Sequence, residues 1–178
     1  PVKILPNLYL GSCDATKELS TLLDKDITTI LNLAAEVEKP KCTPFVDSYS
    51  YALPPETPFM DTVSTLPETP YVDTFSTPIT KLEIHYYHQC WNHNQKNTQE
   101  KILQAFNIID STRLEDQHSI LVSCQQGVSR SATLVIAYVM KTKQWGLMKS
   151  YNFVKEKCPW IAPNISLMNE LSEFEQHL

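Results

Sequence analysis

Cys124 and Arg130 stand with five residues between them, in the run Val122-Ser123-Cys124-Gln125-Gln126-Gly127-Val128-Ser129-Arg130-Ser131. Ser119-Ile120-Leu121-Val122 ahead of them is a short apolar run of strand type. Ala132 to Met140 behind them is apolar on nearly every side, the pattern of a helix buried in a core. A tight loop between strand and helix directs backbone N–H groups at the helix N-terminus. Unpaired N–H groups and the helix dipole both favour negative charge there, so the loop is an anion site. The same field stabilises a thiolate and lowers a cysteine pKa. A thiolate beside a phosphate cradle is a nucleophile aimed at phosphorus.

Other elements must hold that loop. Ile102, Leu103, Phe106 and Ile109 recur at helical spacing, as do Leu147, Met148, Tyr151 and Val154, and Leu167, Met168, Leu171 and Phe174. Each stripe is read as core packing. A fourth helix is expected after Asp14, with Ala15, Leu19, Leu22 and Leu23 facing inward and Ser12 or Asp14 as its cap. Gly146 falls in the turn before one helix, and Pro159 closes the next. His85 and His88 are assigned to a strand without a ligand role, and Glu83 and Asp110 to regular structure away from the site. Strands alternating with helices predict an α/β layered fold with one central sheet.

Cys124-x5-Arg130 followed by Ser131 resembles the signature of the cysteine-dependent protein tyrosine phosphatases. Gly127-Val128-Ser129-Arg130-Ser131-Ala132 is similar to the dual-specificity, MAP kinase phosphatase branch, and within it to a fungal type. Three further segments carry the resemblance in order: Ile4 to Ser12 as an opening strand, Ile27 to Glu36 as a second strand, and Ala162-Pro163-Asn164 before a last amphipathic helix. The match covers most of the chain outside roughly residues 40–80. It implies a protein tyrosine phosphatase-like fold, a central mixed sheet flanked by helices, in a single catalytic domain over residues 1–178. In the chemistry that follows, Cys124 attacks phosphorus and forms a cysteinyl-phosphate intermediate. Backbone N–H groups of Gln125, Gln126, Gly127, Val128, Ser129 and Arg130 hold the equatorial oxygens. Arg130 binds two of them bidentately, a contact lysine cannot match. The resemblance gives Ser131 the task of hydrogen-bonding the cysteine sulfur as the intermediate is hydrolysed. It makes Asn164 a support for the loop, although a turn or helix cap explains that residue equally well. No metal and no cofactor are required.

Two positions depart from the family pattern. Ser123 stands where the family has a histidine, and serine brings no charge to favour the thiolate. The family's general acid is an aspartate on a loop about thirty residues before the cysteine. The matching segment here is Trp91-Asn92-His93-Asn94-Gln95. The acid position falls on an amide, Asn94 or in a competing alignment Asn92, and an amide cannot protonate a departing phenolate. His93 can supply a proton, since imidazole ordinarily titrates near ~6.5; the alternative leaves it a polar loop residue.

Composition sets the boundaries. A chain of 178 residues with 42% hydrophobic content can bury one sizeable core, and no run is long enough to span a membrane. Its net charge of −5 argues against a nucleic-acid binder. Five cysteines without a Cys-x-x-Cys fit a reducing compartment rather than a disulfide scaffold or a zinc site. No signal-peptide pattern opens the chain. The expectation is a monomer in the cytoplasm, the nucleus or both.

Eight of the twelve prolines fall between Lys39 and Lys81. Pro55 to Thr65 repeats as Pro67 to Thr77, and Thr43, Thr57, Thr69 and Thr77 each precede a proline, the pattern of proline-directed kinase sites. Proline density and missing helical spacing predict an extended Pro/Thr-rich insertion at about 40–80, either a passive surface segment or a docking and regulatory one.

Two classes of function follow. One is a phosphatase removing phosphate from phosphotyrosine and phosphothreonine or phosphoserine, on a MAP kinase. The other is a pseudophosphatase-like module that captures phosphorylated protein with little turnover. Lipid- or RNA-directed phosphatase activity is a weaker third, because the loop carries none of the basic residues of lipid-directed relatives. Retention of Cys124, Arg130 and Ser131 favours the enzyme.

Overall fold

The computed structural model describes residues 1–39, the backbone of 45–47, and residues 83–114 and 118–178. Its strands are β1 (Val2–Leu5), β2 (Leu8–Ser12), β3 (Ile27–Ala34), β4 (Phe45–Asp47), β5 (Ile84–Trp91) and β6 (Ser119–Cys124). Its helices are α1 (Leu19–Asp24), α2 (Gln99–Leu114), α3 (Arg130–Lys143), α4 (Leu147–Lys157) and α5 (Ile165–Glu175). The strands form one sheet in the order β1-β2-β6-β3-β5-β4. β1 runs antiparallel to β2; every other neighbouring pair is parallel. The expected mixed sheet flanked by helices is thus present.

β6 lies inside the sheet between β2 and β3, and all six of its residues are buried. Strand periodicity then divides its side chains between two cores. Ile120, Val122 and Cys124 join the larger core with residues of α2, α3, α4 and α5. Leu121 joins the smaller one on the opposite face, with Tyr9, Leu22, Ile27, Ile30, Ile84 and Tyr86. α3 is buried from Arg130 to Met140, as its all-round apolar sequence predicts. Phe106 packs edge-on against Tyr138 and Phe174, tying α2, α3 and α5 together. The loop between β6 and α3 therefore hangs between two rigid, fully buried mounts.

The parallel strands β2, β6, β3 and β5 all end at one edge of the sheet. In open α/β sheets that edge is where ligands bind. Ser12, Cys124, Ala34 and Trp91 terminate the four strands there, and the segments that follow them build the site.

Several expectations are corrected. α1 has only six residues; Leu22 is buried, but Leu19 and Leu23 are exposed. Neither Ser12 nor Asp14 caps it. Ser12 is still paired with Cys124 in the sheet, and Asp14 begins a separate 3₁₀ turn. Leu103 and Met148 also face solvent, because α2 buries Ile102, Ala105, Phe106 and Ile109, while α4 buries Leu147, Ser150 and Val154. Phe45–Asp47, within the stretch read as an insertion, pairs in parallel with β5 at the sheet edge. The rest of the insertion, with its repeat and Thr-Pro sites, lies outside the described residues.

Candidate active site

The loop Gln125–Ser129 leaves the C-terminal end of β6 and enters α3 at Arg130. Gly127 has φ +70°, and a Cβ on it would fall 2.7–2.9 Å from backbone atoms of Gly11 and Ser12. Only glycine lets the loop press this closely on the end of β2. Three outside contacts fix the loop further. The Cys13 thiol donates to the Gln125 carbonyl at 3.1 Å, Ala162 N–H to the Val128 carbonyl at 2.9 Å, and Asn164 N–H to Ser129 Oγ at 3.3 Å. Gln125 and Gln126 are exposed, Gly127 is buried, and Val128 and Ser129 are half-buried.

Cys124 Sγ lies 3.1 Å from Ser131 Oγ at the floor of the loop. Burial pushes the thiol up. The Ser131 hydroxyl and the backbone groups of Ser131, Gly127 and Ser129, all hydrogen-bonding to the sulfur, outweigh it and bring the thiol below its ordinary range. The thiolate is thus stabilised without the family's histidine. Ser123 supplies no substitute, since its buried hydroxyl has no hydrogen-bond partner among the described residues. Strand alternation explains this: Ser123 pairs with Asn32 and points to the sheet face opposite Cys124.

Arg130 is 2% exposed and reaches across to two other strands. Its Nη1 donates to Glu36 Oε2 at 2.7 Å and to the Trp91 carbonyl at 3.1 Å, and its Nη2 to Glu36 Oε1. Glu36 sits on the turn after β3, closed by Val37 N–H donating to the Ala34 carbonyl. The buried Asn32 amide pins that turn, donating to the Val37 carbonyl at 3.1 Å and accepting from Ala34 N–H at 2.9 Å. The guanidinium lowers the Glu36 carboxyl to about 2. Glu36 was not singled out from the sequence. Its position directly after a strand of the central sheet is the signal that could have found it.

A guanidinium has five N–H donors. Glu36 takes two of them along the Nη1–Nη2 edge, and Trp91 takes the second Nη1–H. Nε–H and the second Nη2–H are the donors that Glu36 and Trp91 leave, and the guanidinium also interacts with the Cys124 sulfur.

The segment after Trp91 forms the second wall. Gln95 N–H closes a turn on the Asn92 carbonyl at 3.2 Å. Further on, Thr98 donates from N–H and Oγ1 to the buried Glu170 carboxylate at 2.8 and 2.9 Å. Asn164 holds the turn to the loop: its Nδ2 donates to the His93 carbonyl at 2.6 Å, while its Oδ1 accepts from Leu167 N–H at 2.9 Å. The Asn164 side chain is therefore the helix cap and the tether of His93, while its contact with the Cys124 loop at Ser129 is made by its backbone N–H. Asn92 and Asn94 are exposed, and neither amide side chain makes a hydrogen bond among the described residues. The His93 ring faces Glu36, Nε2 to Oε1 at 3.8 Å. His85 and His88 lie in β5, and Asp110 binds Tyr138 and Lys141 on α3, apart from the loop.

Known proteins resemble this chain in sequence and in fold. The family model for the dual specificity phosphatase catalytic domain matches residues 8–177. A stretch of 93 residues, 52% of this chain, is 38% identical to tyrosine-protein phosphatase pmp1 of Schizosaccharomyces pombe, covering 33% of that protein. Dual specificity protein phosphatase 5 of Rattus norvegicus is 29% identical over 178 residues, all of this chain and 36% of its own length. The chain thus spans about a third of the length of these two relatives. The crystal structure of human DUSP28 superposes with a TM-score of 0.71 at 17% identity, covering 99% of this chain and 96% of that one. That of human tyrosine phosphatase-like serine/threonine/tyrosine-interacting protein does so with a TM-score of 0.70 at 22% identity, covering 99% and 95%. The chain belongs to the dual specificity phosphatase catalytic-domain family.

Proposed function

We propose that this domain hydrolyses phosphotyrosine and phosphothreonine or phosphoserine in a protein substrate, a MAP kinase, through a cysteinyl-phosphate intermediate. Family membership supports the reaction class. The single observation that carries the mechanism is the pairing of a lowered Cys124 thiol with a buried, carboxylate-held Arg130 across one loop. The Cys124 thiolate attacks phosphorus in line. The inward N–H groups of Gln125 to Arg130 and the open edge of Arg130 bind the equatorial oxygens, where charge redistributes in the transition state. The S–P bond forms as the P–O bond to the side chain breaks. Water then attacks the cysteinyl phosphate, and Ser131 donates to the departing sulfur, restoring the thiolate. No step draws on a metal or cofactor.

The substrate class follows from the branch resemblance of Gly127 to Ala132, and the cytoplasm and nucleus are where such a kinase would be met. A monomer suffices, since one chain supplies every group used. The test is phosphate release from a doubly phosphorylated MAP kinase activation-loop peptide, with vanadate as inhibitor. Release that vanadate blocks supports the proposal, and its absence favours the second reading. That reading is a phosphoprotein-binding module with weak turnover. Its supporting observation is that Asn92 and Asn94 carry no acidic proton.

A further inference from the structure

A leaving phenolate needs a proton, and both amides of the turn after Trp91 are unable to give one. The charged and titratable groups facing this turn come from every element around it. Glu36 comes from the turn after β3, Arg130 from α3 and Cys124 from the end of β6, while Lys101 of α2 donates to the Cys90 carbonyl and Gln95 Oε1 behind the turn. Glu36 is ionised far below neutral pH and already spends both oxygens on Arg130. Guanidinium and ammonium groups, here Arg130, Lys101 and Lys96 on the turn itself, are by chemical type far too weak as acids. Cys124 is the attacking group. His93 is the remaining one, and imidazole is the side chain that takes up and releases protons near neutrality.

Its placement fits the role. The His93 main chain is tethered by Asn164, whose own N–H reaches Ser129 in the phosphate loop. The ring is 69% exposed, so it can meet a bound substrate, and it lies 3.8 Å from the carboxylate that grips Arg130. Glu36 thus sits between the guanidinium and the imidazole, with both on one side of the mouth. Cys124 is at the floor, so a group departing opposite the sulfur leaves through this mouth.

We propose that His93 is the general acid of this domain, doing with an imidazolium what the family does with an aspartate. The inference rests on the phosphatase reading of the Cys124 loop. As the Cys124 S–P bond forms and the P–O bond breaks, the imidazolium gives its proton to the tyrosine oxygen and becomes neutral. The neutral ring then takes a proton from the water that attacks the cysteinyl phosphate, regenerating the imidazolium.

The experiment compares the full chain with H93Q on two substrates: a phosphotyrosine peptide and 4-nitrophenyl phosphate, whose acidic phenol needs little protonation. H93Q should lose about 10²-fold in kcat on phosphotyrosine and only a few-fold on the activated ester. The fall of wild-type kcat on phosphotyrosine with rising pH should disappear in H93Q, and H93D should recover part of the lost phosphotyrosine rate. Equal losses on both substrates, or no loss on either, would overturn the proposal. If the wild type cleaves neither substrate, the phosphatase reading itself fails, and with it the role of His93.

Discussion

Glu36 grips Arg130 from the turn after β3 through both carboxylate oxygens, while the same guanidinium interacts with the Cys124 sulfur. The two residues are far apart in sequence and meet because β3 and β6 are neighbouring parallel strands whose ends share one edge of the sheet. Arg130 is almost wholly buried, so without Glu36 its charge would lack its main partner. Glu36→Gln should therefore lower kcat/KM by at least about tenfold and weaken vanadate inhibition in parallel. Steady-state kinetics with both read-outs check this.

The same pair makes a stability prediction with a definite sign. Glu36 is held down from the ordinary 4.5 to about 2 by Arg130. A lowered carboxyl contributes stability above its unfolded value and loses it as pH falls through the folded one. The Tm advantage of wild type over Glu36→Gln should be full above about pH 5 and shrink steadily toward pH 2. Thermal unfolding across that window measures it. The side chain is more than a third exposed, so the advantage should be modest and reduced by salt.

Ser131→Ala removes the hydroxyl at 3.1 Å from the Cys124 sulfur. Two changes should follow. The ascending limb of the kcat/KM pH profile, which reports thiolate formation, should move to higher pH, because Ser131 is one of the groups bringing the thiol down. Breakdown of the cysteinyl phosphate should slow, so a burst of phenol release should precede a slower steady state in stopped-flow traces.

Asn164 performs two tasks that two substitutions can separate. Asn164→Ala removes both the cap of α5 and the tether to His93, and should cost about 1 kcal/mol of stability from the cap alone. Asn164→Asp keeps an oxygen for Leu167 N–H but has no N–H for the His93 carbonyl. It should keep most of the stability while losing phosphotyrosine turnover. Denaturant unfolding beside kinetics distinguishes the two.

Removing residues 48–80 while keeping the edge strand Phe45–Asp47 should leave cooperative unfolding and hydrolysis of 4-nitrophenyl phosphate intact, since a proline-dense sequence without apolar periodicity offers little to a core and the entropic cost of loop length grows slowly. Action on a whole kinase is the read-out expected to change. Loss of cooperative unfolding would show that the segment carries core.

The Cys124–Arg130 loop is legible in the sequence because its pattern is local: a strand, a loop and a buried helix follow one another within Ser119–Lys143. The cap role of Asn164 is legible in the sequence; its contact with the Cys124 loop comes from a backbone N–H, and its side-chain nitrogen instead holds His93, a partner that no local pattern marks. Glu36 is not legible there, because its partner arrives from another strand and no periodicity marks a side chain that crosses between them. The apolar stripes overstated burial at Leu19, Leu23, Leu103 and Met148, since helical spacing tells which residues share a face but not how wide a face the neighbours cover. Phe45–Asp47 was read as part of a proline-rich insertion because three residues are too few to show strand alternation.

In the proposed mechanism Cys124 carries the phosphoryl group between the two half-reactions. The direct measurement is mass spectrometry of the chain quenched in acid during turnover of 4-nitrophenyl phosphate, with Ser131→Ala used to raise the intermediate. One phosphoryl group should appear on the peptide containing Cys124 and be absent from Cys124→Ser, which should still bind phosphopeptide. Cys90→Ser and Cys158→Ser should retain it. Full turnover with no phosphoryl group on Cys124, or with one on another residue, would rule Cys124 out as the nucleophile.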